Sequence, residues 1–277
     1  MARIPFSEVL KNASVDLSSE YGRLYELFYI NVEDSSALGN TISEHCASRF
    51  KDFPYRGTCI SLDDFEKCHN LNFVGSPHEF DIDYLVSFCE YSYNIVVYCS
   101  GSDSDLKYYG MHKQISFFLQ QIERVIEKIG YMPNSKNGIT DFVPKDPTAI
   151  SVSEIVEPEV SYSVIEYNHH SMKGDLKQKR AILIALADQL EPQRAKLKSI
   201  NSSFEDDLFF LFNNVNLRHN NCDPEGKKYH SYVAAMKKED IEQLYDDTYQ
   251  MCLLAFLELD HMERKERVKK LKQNIQK

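Results

Sequence analysis

The chain lacks the glycine patterns that cradle phosphates. Its ten glycines are scattered through 277 residues and none forms GxGxxG or GxxxxGK(S/T), so neither dinucleotide binding nor ATP use is expected. It also lacks a CxxC pair. The seven cysteines (Cys46, Cys59, Cys68, Cys89, Cys99, Cys222, Cys252) are odd in number and widely spaced, which argues against a disulfide framework and fits a reduced, cytoplasmic protein. No apolar run approaches membrane-spanning length, and the opening MARIPFSEVLKN has no hydrophobic signal region, so a soluble, unexported protein with no membrane partner is expected. Internal repeats and low-complexity tracts are absent too, which excludes solenoids.

Positive charge is scarce overall but unevenly so. Residues 1–164 hold 13 Lys and Arg against 24 Asp and Glu, net -11, whereas residues 165–277 hold 19 against 18, net +1. Phosphodiester binding depends on local charge, so the second half remains open to an RNA or DNA partner despite the formal -10 of the whole. With 43% hydrophobic residues the chain can bury a sizeable core, and two units are expected, residues 1–150 and 151–277.

The pattern is mainly α, with short strands admitted in the first half. Tyr21, Leu24, Leu27 and Phe28 give a helix near 19–30. Residues 50–80, punctuated by Pro54, Gly57, Gly75 and Pro77, read as loop. Residues 83–99 keep a helical period, although YNIVVYC also suits a strand, and a cleaner apolar stripe runs from about 106 to 129. The stretch GYMPNSKNGITDFVPKDP gathers proline, glycine and asparagine and marks a linker over 130–160. Three helices follow. One opens at Asp175, is interrupted at Pro192 and continues toward Ile200; a second opens at Ser202 with Glu205 at capping-box spacing; a third spans about 239–272.

The second of these carries the most informative pattern. Leu208, Leu211, Phe212 and Val215 share a face, and the same stepping lands on Arg218 and His219 before Asn220-Asn221 and Pro224 stop the helix. An inward guanidinium and imidazole need partners: a carboxylate, a carbonyl, a second subunit or an anionic substrate.

Helices with Arg218 at the end of one and a polar residue directly after it resemble the HEPN superfamily of helical nucleic-acid-associated domains. The blocks KGDLKQKRAILIALADQLEP, LFNNVNLRHNN and LYDDTYQMCLLAFLELD, within residues 165–265, are similar to the C-terminal half of AbiJ-like abortive-infection proteins. The resemblance implies a C-terminal HEPN-like helical bundle that dimerises and cleaves RNA without metal or cofactor, as an effector of microbial anti-phage defence. Arg218 then takes the family's arginine place and His219 the polar place. The histidine expected after four to six intervening residues is missing: positions 223–225 are Asp223, Pro224 and Glu225, and the next histidine is His230.

Metal-free RNA cleavage needs a base for the 2′-hydroxyl, an acid for the leaving oxygen and a fixed cation for the phosphorane. Arg218 suits the last task, and His219 or His230 the proton transfers. Asn213, Asn214, Asn220 and Asn221 are candidates to orient phosphate; Lys227 and Lys228 to hold the backbone; Tyr229 to stack on a base. RNA, tRNA included, is the expected partner, with a homodimer as the active form and a phage-derived or protein trigger acting through the first half. Two other readings stay open: a non-catalytic HEPN-like RNA- or protein-binding module, or a structural Arg218 paired with Asp246 or Asp247. The donors His45, Cys46, Cys59, Cys68 and His69 match no familiar zinc spacing, and no metal is expected. A metal-dependent hydrolase built on His45, Cys46, Cys68 and His69 is the weakest alternative. In EYNHH, adjacent His169 and His170 point different ways on a helix, and helix entry or domain packing is their expected role.

Overall fold

A computed structural model describes residues 16–31, 40–100 and 109–276, and these are mainly helical. The opening MARIPFSEVLKN and residues 106–108 of the helix expected over 106–129 lie outside the described residues. No helix among the described residues is long and apolar enough to cross a membrane. The chain divides into two compact units, Met1–Phe142 and Val143–Lys277.

The first unit contains α1 (Leu17–Tyr29), α2 (Ile42–Arg49), α3 (Leu62–Cys68), α4 (Ile82–Ser100), α5 (Tyr109–Lys128), strand β1 (Tyr131–Lys136) and all but the last two residues of β2 (Ile139–Pro144). Asp16, Thr41 and Ser61 cap the first three helices, and Thr41 with Glu44 closes a full capping box. Tyr21, Phe28, Phe88 and Phe118 are fully buried at the centre, with Phe28 stacked on Phe118 and edge-on to Phe88. Residues 83–99 are therefore helix, not strand. Their buried residues, from Leu85 to Cys99, take up one broad face of α4 while Val97 and Tyr98 are exposed, and the breadth of that face blurs the helical period.

Two expectations fail between 50 and 160. Residues 50–80 include α3, whose Leu62 and Phe65 pack into the core, so the segment is not all loop. Residues 130–160 are not a linker either: they form a hairpin and two helices, α6 (Pro147–Ser153) and α7 (Pro158–Glu166). The hairpin turns through Asn137 (φ 54°) and Gly138 (φ 80°), a left-handed pair that few other residues tolerate. The Asn94 amide donates to the Thr140 carbonyl (2.7 Å) and accepts from its N–H (2.8 Å), while the Glu90 carboxylate accepts from Phe142 N–H (2.7 Å). These bonds fasten β2 to α4 in place of a third strand.

The second unit adds α8 (Leu176–Leu190), a 3-10 turn Glu191–Gln193, α9 (Arg194–Ile200), α10 (Ser202–Asn214), the short α11 (Ser231–Ala234) and the long α12 (Lys238–Ile275). Asp175 caps α8, and Pro192 sits in the turn that breaks α8 from α9. Leu183, Leu186 and Leu190 of α8 meet Tyr245, Tyr249, Cys252 and Phe256 of α12 and Leu208, Phe209 and Phe212 of α10 in one core. Ala149 and Val152 of α6 belong to that core, so α6 runs through the boundary expected at residue 150.

Candidate functional site

The α10 helix differs from its expected course at both ends. Its cap is Asn201, whose side chain accepts from Phe204 N–H (3.1 Å), and not Ser202. It stops at Asn214 instead of Asn220-Asn221: Val215 N–H still reaches Leu211 O (3.2 Å), but Asn216 turns left-handed (φ 61°) and Arg218 N–H folds back to Phe212 O (3.0 Å). Arg218 and His219 therefore lie in a loop, residues 215–230, and not on the helical stripe.

That loop puts Arg218 against α8. One guanidinium nitrogen donates to the Glu191 carboxylate and another to the Ala187 carbonyl (2.8 Å), with Asp188 at 3.7 Å. The guanidinium carbon lies 5.3 Å from the Phe212 ring centroid. Ala187 O already accepts from Glu191 N–H at the end of α8, so the guanidinium adds a second donor there and places its charge at the negative end of that helix. Its side chain is 18% exposed, against 45% for Glu191 and 70% for Asp188. Neither Asp246 nor Asp247 is its partner. Asp246 accepts from Lys179 and Tyr167, and Asp247 accepts from Gln243.

The remaining candidates separate into anchors and presented groups. Asn221 is fully buried: its Oδ1 accepts from Asn216 N–H (2.8 Å), and its Nδ2 donates to Asn213 O (3.2 Å) and Lys228 O (2.8 Å). Asn221 O also accepts from His230 N–H (2.9 Å). The expected phosphate contact from Asn221 is thereby corrected to an internal hub. Asn213 is likewise engaged, its amide donating to Phe209 O (2.7 Å). Asn214 donates to Phe210 O (2.8 Å), and its Oδ1 lies 3.0 Å from His230 Nε2. Asn220, Lys227, Lys228, Tyr229 and His230 are exposed, and His219 is half-buried. Arg218 and the imidazoles share the loop, but among the described residues Arg218's partners are carboxylates, a carbonyl and phenyl rings, with no histidine.

A charged network was missed by sequence reasoning. Lys179 of α8, only 5% exposed, donates to Glu242 (2.8 Å) and Asp246 (2.7 Å) of α12, and Tyr167 donates to Asp246 (2.9 Å). Tyr167 stacks on Tyr249 at 4.0 Å. The hydrogen bond from Lys179 holds the Glu242 carboxyl below its ordinary value, and burial pushes the Tyr167 hydroxyl up. The i,i+4 spacing of Glu242 and Asp246 was a legible signal. Arg194 forms a second such pair with the buried Glu205 (2.5 Å). His169 caps the 3-10 turn His170–Met172 by accepting from Ser171 N–H (3.2 Å), the helix-entry role expected for it. No protein-family model, curated protein or solved structure matches the chain.

Proposed function

We propose that the C-terminal unit is a HEPN-like RNA-binding module that grips RNA through the 220–230 loop, with Arg218 acting as a structural anchor. The observation that carries this is the division of labour in the loop. Arg218 is committed to Glu191 and Ala187 of its own chain, while Lys227, Lys228, Tyr229 and His230 stand exposed on a backbone pinned by buried Asn221. Two ammonium groups beside an aromatic ring suit a single-stranded phosphate backbone and one stacked base. Exposed Arg264, Lys265, Arg267, Lys269, Lys270 and Lys272 on α12 add a second cationic surface.

Catalysis is the second reading. It is favoured by the presence of Arg218, His219 and His230 in one loop, and it describes an AbiJ-like defence ribonuclease acting as a homodimer under an external trigger. One experiment separates the two. The purified full chain is incubated in chelator with labelled single-stranded RNA and tRNA, and binding and cleavage are read together. The RNA-binding reading expects intact RNA, an affinity that falls as salt rises, and at least about tenfold weaker binding for the Lys227→Glu, Lys228→Glu double variant. Cleavage abolished by Arg218→Ala and by either His219→Ala or His230→Ala would instead establish the ribonuclease. Absence of binding by the wild type rejects both.

A further inference from the structure

We infer that Cys59, Asp64 and Cys68 form a site for one zinc-class divalent cation, held by two thiolates and a carboxylate. The three donor atoms lie within 4.8 Å of one another. Zn–S bonds of about 2.3 Å and Zn–O bonds of about 2.0 Å, set at a tetrahedral angle, place neighbouring donors about 3.5–3.8 Å apart. The Cys68 thiol donates a hydrogen bond to Asp64 Oδ1 at 3.8 Å, about 0.3 Å wider than the roughly 3.5 Å that a shared zinc sets between a sulfur and an oxygen ligand.

The local fold aims all three groups. Asp64 and Cys68 are four residues apart on α3 and share a face. Cys59 arrives from the preceding turn, where its N–H donates to Arg56 O (3.0 Å) and its carbonyl accepts from Arg56 Nη1 (3.0 Å). Arg56 Nε is in turn held by Lys51 O (3.0 Å). The second oxygen of Asp64 accepts from Ile60 N–H (3.0 Å), which orients the carboxylate as the outer contacts of a metal ligand do and leaves Oδ1 turned to the sulfur. Cys59 is 7% exposed and Cys68 is on the surface, so the site has a buried floor and an open side. Two thiolates and one carboxylate suit zinc, whereas calcium and magnesium prefer an all-oxygen set. Three protein ligands leave a fourth position for water, and binding releases the two thiol protons to solvent.

This set differs from the donors grouped by sequence. His45 and Cys46 are buried in α2, where Cys46 O accepts from Cys99 Sγ, and the His69 ring packs against Phe65 at 4.4 Å. Only Cys59 and Cys68 of that group join Asp64.

The test is Co2+ titration of the reduced full chain. A thiolate-to-cobalt charge-transfer band with tetrahedral d–d bands should saturate at one equivalent and be bleached by Zn2+. Cys59→Ser and Cys68→Ser should each weaken uptake by at least about tenfold, and Cys222→Ser should leave it unchanged. Cys68 is exposed, so its variant keeps the fold and the comparison stays decisive. A silent wild type, undiminished uptake by Cys68→Ser, or a Cys59–Cys68 disulfide that persists under the reducing conditions would each overturn the site.

Discussion

Asn221→Ala is the sharpest perturbation of the candidate interface, because one buried amide closes the whole 215–230 loop. The substitution strands Asn216 N–H and the carbonyls of Asn213 and Lys228. A lost hydrogen bond costs about 1 kcal/mol net, and a polar group left buried without a partner costs about 1–3 kcal/mol. Water can enter from the loop's outer side and recover part of this, so the expected loss is about 2–4 kcal/mol. Asn221→Asp should do no better, since it keeps the acceptor for Asn216 N–H but sets a carboxylate against two carbonyl oxygens. Urea denaturation of the full chain supplies the stability, and amide exchange over 213–230 supplies the location. RNA affinity should fall with loop protection even though Asn221 is buried and touches no ligand. A stability change under about 1 kcal/mol with unchanged exchange would show that the amide does not hold the loop, and the presentation argument would fail with it.

Arg218→Ala should lower stability by about 2 kcal/mol, a value reduced from that of a fully buried pair because Glu191 is 45% exposed; Arg218→Lys should recover less than half, since one ammonium cannot span both Glu191 and Ala187 O, and equal stability of Arg218→Lys in thermal unfolding would refute this. Gly226→Ala should destabilise by about 1 kcal/mol and loosen the loop in amide exchange, because an added Cβ meets Asp223 O at 3.1 Å and Asn220 O at 3.3 Å. Lys179 lowers the folded-state pKa of Glu242 from its ordinary 4.5, so this carboxylate contributes stability above pH 4.5 that is lost as pH falls through the depressed folded value. Glu242→Gln should therefore be less stable at neutral pH and flatten the acid limb below 4.5; parallel acid limbs for both proteins would contradict the pairing.

Much of the helical frame was legible. Apolar stripes marked α1 and α5, and Asp175 and Pro192 placed real breaks, because caps and prolines act through local backbone chemistry alone. The failures have identifiable causes. Asn137-Gly138 is a strong hairpin signal, but the single Pro133 and the polar β1 hid the alternation that would have supported it. The end of α10 was misread because stepping by three and four carries from Val215 on to Arg218 and His219, whereas the chain turns at left-handed Asn216 and buries Leu217, 1% exposed, from a loop. Periodicity does not reveal a chain reversal made by an asparagine. The partner of Arg218 was out of reach for the same reason, since Glu191 comes within range only when the guanidinium leaves the helical line.

The same reversal bears on chemistry. A catalytic arginine must stabilise charge that develops during reaction, so its fork has to be available to phosphate when the transition state forms. In this loop the fork is already divided between a carboxylate and a helix-terminal carbonyl, and a phosphate would have to displace Glu191 to gain a bidentate contact. Removing Glu191 as a competitor gives the discriminating consequence. Under the anchoring role, Glu191→Gln weakens the loop and lowers RNA affinity along with Arg218→Ala. Under a catalytic role, the same substitution frees the guanidinium and raises cleavage, so the sign of the Glu191→Gln effect reports what Arg218 is for.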